Sequence, residues 1–124
     1  MPQIQVSTGE LLDKWSILEI KLSQFTSSEK ISIIGKEMRT LESVVSNFLL
    51  VPHINDLYSE LKEVNFDIWK GMDLLYGFDK SDKDGFIVLT NTITDLNMRR
   101  AFVKRKIDVS TESEIMETKS FIDE

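Results

Sequence analysis

The sequence predicts an all-α protein, a small antiparallel bundle of about four helices with a short extended N-terminus and an irregular acidic C-terminal tail. Three observations predict it. Apolar residues recur at steps of three and four along four separate segments, which is the pattern of helices that each bury one stripe. Short polar connections separate these segments, and short connections favour antiparallel neighbours. The 124 residues, 41% of them hydrophobic, suffice for one core that buries about two-thirds of the unfolded surface. A single helical domain over 1–124 is therefore expected, with helices at about 8–25, 28–48, 55–76 and 85–107 and a tail over 108–124.

The first helix follows Ile4-Gln5-Val6, too brief an alternation for more than one edge strand. Ser7 or Thr8 offers a capping hydroxyl, and Glu10 lies three residues after Ser7, in capping-box spacing. Leu11, Trp15, Leu18, Leu22 and Phe25 then share a face. Ser28-Glu29-Lys30 opens the second helix, whose seam is Ile31, Ile34, Met38, Leu41, Val45 and Phe48, closed by the Leu50-Val51-Pro52 corner. The third helix takes Asn55 or Asp56 as its cap. It turns Leu57, Leu61, Val64, Ile68, Met72 and Leu75 inward and stops at Gly77. The fourth carries the seam Phe86, Leu89, Ile93, Leu96, Arg100, Val103 and Ile107, in which one member is an arginine. Beyond Asp108 the periodicity fails, and Ser110-Thr111 can cap only a short turn.

Composition excludes several classes of function. With no cysteine there is no disulfide framework, thiolate metal site or Cys nucleophile, and a reduced, cytoplasmic setting is expected. No apolar run is long enough to cross a bilayer, and Met1–Val6 has no signal-peptide character, so no membrane insertion is expected. The lone His53 rules out a multi-His metal site. The Asp79–Gly85 loop fails as a calcium loop, because Lys80 and Asn91 fall where its end ligands belong. Glu60, Glu63 and Asp67 share a helix face as magnesium-binding acids do. They lack a second acidic pair on another helix and read as a solvated face. No metal and no cofactor are expected.

The net charge of −6 is unevenly spread. Residues 1–98 carry nine basic and fifteen acidic side chains. Residues 99–107 carry Arg99, Arg100, Lys104, Arg105 and Lys106 with no acid, and residues 108–124 balance at −5. Nucleic acid is not the expected partner of so acidic a chain. Either the acidic tail folds back on the basic block, or the block receives an anion. Arg100 poses the same choice more sharply, since an unpaired charge on a core-facing stripe is costly. It pairs with an acid such as Glu19 on the first helix, where Glu10 and Asp13 lie further up. Alternatively it joins Arg99 and Lys14 in clamping a carboxylate or phosphate. Asn91 and Asn97 oppose helix propensity within the fourth helix and are either functional or simply solvent-facing.

Ile4-Gln5-Val6-Ser7-Thr8-Gly9-Glu10-Leu11-Leu12-Asp13-Lys14, continued by Ile17-Leu18-Glu19-Ile20-Lys21, resembles the opening of a family of uncharacterised bacterial, phage and marine-environmental proteins of about 120 residues. Leu96-Asn97-Met98-Arg99-Arg100-Ala101, then Lys104-Arg105-Lys106, is similar to that family's second signature, of the type Thr-Asn-Asp-Arg-Arg-Ala. Here Leu96 and Met98 stand in place of its Thr and Asp. Ser113-Glu114-Ile115-Met116-Glu117-Thr118-Lys119-Ser120-Phe121 is similar to its third. The resemblance implies a fold and candidate positions rather than a reaction, together with an accessory role near surface-polysaccharide or glycosyltransferase pathways. Its signature residues are charged, so the three segments are expected to meet as one polar cluster. Lys14, Glu19, Asn97, Arg99, Arg100 and Lys104 form the candidate site, with Glu10, Asp13, Glu114 and Glu117 as internal partners. The expected function is a non-enzymatic interaction domain, working through a protein partner or as a homodimer. The alternative is a binder, or an enzyme, that takes a small anionic ligand (carboxylate, phosphate or sugar nucleotide) between the first and fourth helices.

Overall fold

The computed structural model describes residues 1–112. It contains four helices, α1 (Thr8–Gln24), α2 (Ser28–Leu49), α3 (Pro52–Tyr76) and α4 (Lys83–Ser110), and no strand among the described residues. Local chemistry sets the starts of three of them. The Ser7 hydroxyl accepts from the Glu10 amide at 3.1 Å, Ser27 from Lys30 at 3.4 Å, and the Asp82 carboxylate from Gly85 at 3.1 Å. Each satisfies an amide that the first turn leaves without an intrahelical partner.

The largest departures from the expected helix bounds fall at two places. α3 begins at Pro52, ahead of Asn55 and Asp56, and its cap residue Val51 makes no side-chain bond. A proline lacks only an N–H that the first turn does not use, and its fixed φ suits a helix start. The corner that ends α2 therefore also begins α3. α4 runs from Lys83 to Ser110 because its packed stripe continues past Ile107, so Asp108 belongs to the helix rather than to the tail. Glu112, at φ 54°, then turns into the left-handed region.

Consecutive helices run antiparallel through short connections. The core cluster of Leu12, Val45, Ile54, Leu57, Tyr58, Leu61, Val103 and Ile107 draws on all four helices. It lies toward the end of the bundle where α1 and α3 begin and α2 and α4 finish. The seams expected of α2 and α4 are present: Ile34, Val45, Ile93, Val103 and Ile107 are buried.

α1 departs from the expected pattern. Leu18 is buried and Leu11 and Trp15 are partly so, but Leu22 is 40% exposed. The helix also buries Gly9, Leu12, Asp13, Ser16 and Ile20. It packs against α2, α3 and α4 at once, so it buries a second face, and that face is largely polar.

α1 ends where Phe25 meets Trp69 edge-on, ring centroids 5.9 Å apart. Beyond that level α3 and α4 continue together as a two-helix arm, roughly residues 70–93. Gly71 allows the two helices to approach closely, because a Cβ there would lie 3.0 Å from Cγ1 of Ile93. Phe78 and Phe86 pack at the tip. Met72, expected to face inward, is half exposed because α1 stops short of it.

Candidate functional site

Two rows of side chains build the polar face between α1 and α4. On α1, Gly9, Asp13 and Ser16 recur at steps of four and three; on α4, Arg100, Lys104 and Asp108 recur at steps of four. Such spacing sets each row along one helix face. The Arg100 guanidinium forks onto Asp13, with Nε donating to Oδ1 at 2.8 Å and Nη2 donating to Oδ2. Asn65 of α3 donates from Nδ2 to Asp13 Oδ1 at 2.9 Å and to Ser16 Oγ at 2.7 Å. The Ser16 hydroxyl in turn donates to the Asp13 carbonyl. One turn on, Lys104 donates from Nζ to Glu10 Oε2 at 2.9 Å and lies 3.9 Å from Asp13 Oδ2. Only 5% of the Lys104 side chain and 3% of the Asp13 side chain are exposed.

Asp108 completes the row. Its Oδ1 accepts the Gly9 amide at 2.6 Å, so a carboxylate of α4 caps the first turn of α1, where the helix dipole favours negative charge. The approach requires glycine: a Cβ at position 9 would fall 2.5 Å from the Lys104 carbonyl and 2.8 Å from Asp108 Oδ1. Asp108 Oδ2 is buried with no hydrogen-bond partner among the described residues. Burial pushes the Asp108 carboxyl above its ordinary value, against the Gly9 amide, the Ser7 hydroxyl and the Lys104 charge, which pull it down.

The structure brings some of the expected site residues together and separates others. Arg100 and Lys104 meet Glu10 and Asp13, so the charged segments of α1 and α4 do converge. Arg100 takes Asp13 rather than Glu19 because those two acids point from different faces of α1. Glu19 instead accepts from the Tyr58 hydroxyl and from Lys62 Nζ at 3.3 Å. Burial, with Glu19 alongside, raises the Tyr58 hydroxyl far above its usual range. Lys14 lies on the outer face of α1, 2.9 Å from Glu37 of α2, and Arg99 reaches Glu60 of α3 at 3.6 Å. Asn97 is exposed and donates to the Ile93 carbonyl of its own helix at 3.1 Å. Glu114 and Glu117 lie outside the described residues.

Sequence reasoning missed Ser16, Asn65 and Asp108 as parts of the cluster. The signal was the repeat of small or polar residues in the row 9–13–16, matched by 100–104–108. Among the described residues no group of three or more His, Cys, Asp or Glu side chains could hold a metal ion. The described geometry is that of an acid–base spine that pins one helix against two others.

Fold and spine together define a small helical bundle held by a buried ionic seam. The chain belongs to the Family of unknown function (DUF6165), whose model matches residues 2–123. The match spans nearly the whole chain and agrees with a family that has no assigned activity. No curated protein and no solved structure matches the chain.

Proposed function

We propose that this protein is a non-catalytic helical interaction domain, in which the charged signature residues hold the helices in register and the working contacts are made by the outer surface with another protein chain. One observation carries this reading: the cations of the candidate site already face acids of the same chain. Arg100 holds Asp13, Lys104 holds Glu10, Arg99 reaches Glu60 and Lys14 reaches Glu37. An incoming carboxylate or phosphate would have to displace a forked, buried carboxylate, and separating such a pair leaves an uncompensated charge. The reading keeps the cytoplasmic setting and the accessory role that the sequence resemblance implies.

The test is a thermal-shift screen against dicarboxylates, phosphosugars and sugar nucleotides. A flat profile is expected. Stabilisation by several degrees that disappears in the Arg99→Ala/Lys14→Ala variant, whose altered side chains are exposed and leave the fold intact, would overturn the reading in favour of an anion site.

A further inference from the structure

The arm formed by the ends of α3 and α4 is covered on one side only in its lower part. The rows that face α1 lower down continue upward after α1 has ended. On α3 the row Asn65, Trp69, Met72, Tyr76 keeps its three- and four-residue steps, and on α4 so does the row Asn97, Thr94, Thr90, Ile87. Met72 is 50% exposed, Ile87 54% and Tyr76 96%. The hydroxyls of Thr90 and Thr94 donate to the carbonyls of Phe86 and Thr90 in their own helix, so the α4 row is left with methyl groups to offer. The result is an apolar strip without a covering helix, continuous with the groove that α1 fills.

We infer that this strip is the contact between two copies of the chain, with the arms antiparallel across a two-fold axis, so that each arm lies where the partner's α1 leaves off. The inference rests on the interaction reading above and names its surface and its partner. Two observations select a second copy. First, residues 70–93 hold three lysines and four aspartates. A nearly neutral apolar strip suits a partner of the same kind and neither a polyanion nor a polycation. Second, Met72, Tyr76 and Ile87, with the partly covered Trp69 and Phe86, offer on the order of 500 Å² per copy. Two copies would then bury about 1,000 Å², the lower bound for a specific interface, and an isologous two-fold contact is the commonest way for identical chains to do so.

The experiment is sedimentation of the full chain from about 1 to 200 µM, a range that brackets micromolar dimers. The expected result is a mass that rises from 14.3 kDa toward twice that value. In Met72→Glu/Tyr76→Ser the midpoint should move up at least tenfold with helicity and melting unchanged at low concentration. In Ile33→Ser, where an apolar side chain equally exposed on α2 is removed, it should not move. The chain has no cysteine, so Met72→Cys, at the middle of the strip where the two-fold axis falls, should cross-link to a dimer under mild oxidation and Ile33→Cys should not. A wild type that stays monomeric throughout overturns the inference. So does a dimer that is indifferent to the arm variant but weakened by Ile33→Ser, although that outcome leaves the interaction reading standing. Only the anion screen tests that broader reading.

Discussion

The lower bundle and the arm share α3 and α4, yet one encloses polar side chains and the other leaves apolar ones exposed. Around α1 the interior takes in Asp13, Lys104, Asp108, Asn65 and Ser16 alongside Leu12, Leu61 and Ile107. Two or three turns away, the arm leaves Met72, Tyr76 and Ile87 in solvent. The difference teaches that burial here follows the length of α1 rather than the hydrophobicity of the residues beside it. Where α1 is present, polar groups are enclosed and, Asp108 Oδ2 apart, satisfy one another. Where it is absent, apolar groups stay uncovered. A buried ionic seam is a weak source of net stability, yet each member is expensive to strand.

The largest effect that would sharpen this contrast comes from Asp13→Ala, which removes the forked carboxylate beneath Arg100 and one of the two acids beside Lys104. It should destabilise the fold by about 3–5 kcal/mol, and chemical denaturation should show the loss as a lowered midpoint at unchanged slope. Truncation in the apolar part of the same region, Leu61→Ala, should cost about 2–5 kcal/mol, whereas Met72→Ala on the arm should stay within about 0.5 kcal/mol for the monomer. Equal losses at the two positions would break the comparison. Gly9→Ala should come next, at about 1–3 kcal/mol, since a methyl group there meets backbone that cannot swing away. The smallest effect belongs to Lys14→Ala, whose half-exposed pair with Glu37 should be worth about 0–1 kcal/mol and should fade with salt.

Asp108 gives the seam a pH dependence of unusual sign. Its folded carboxyl is raised above the ordinary value, so between the unfolded and folded values the folded state holds more protons. The contribution of this group to stability is therefore full in acid and is lost as pH rises through the folded value. Asp108→Asn keeps an acceptor for the Gly9 amide and removes the titration. Relative to wild type it should melt higher near pH 7 than near pH 4, and melts across that range check it. A difference that ran the other way would show that Lys104 governs the site.

The bundle was legible in the sequence because its outer seams are ordinary apolar stripes: Ile34 and Val45 on α2, and Ile93, Val103 and Ile107 on α4, fall where periodicity places them. That Arg100 needs either an acid, with α1 a candidate source, or an anionic ligand was also legible, from the charge on a core stripe. Which acid it meets was not. Asp13 and Glu19 differ in the face they present, and only the three-way packing of α1 says that the face carrying Gly9 and Ser16 is buried. Asn65 gave no signal on its own helix, since its partners belong to α1. The early start of α3 was concealed because Pro52 read as an end to α2 before it read as a beginning.

The contacts that seat α1 join residues 87 to 99 positions apart, from Arg100–Asp13 to Gly9–Asp108. For a helical protein these are long-range pairings, and they put the first helix to be synthesised at the mercy of the last. Until α4 leaves the ribosome, Asp13 has no arginine and the first turn of α1 has no capping carboxylate. α2 and α3 emerge in the meantime with only a loosely held neighbour. Folding should accordingly be slower than is usual for four-helix proteins of this size. Docking of the N-terminal helix against α4 should come last, and a ribosome stalled before residue 100 should present a chain whose helices can form but whose α1 is not yet locked in place.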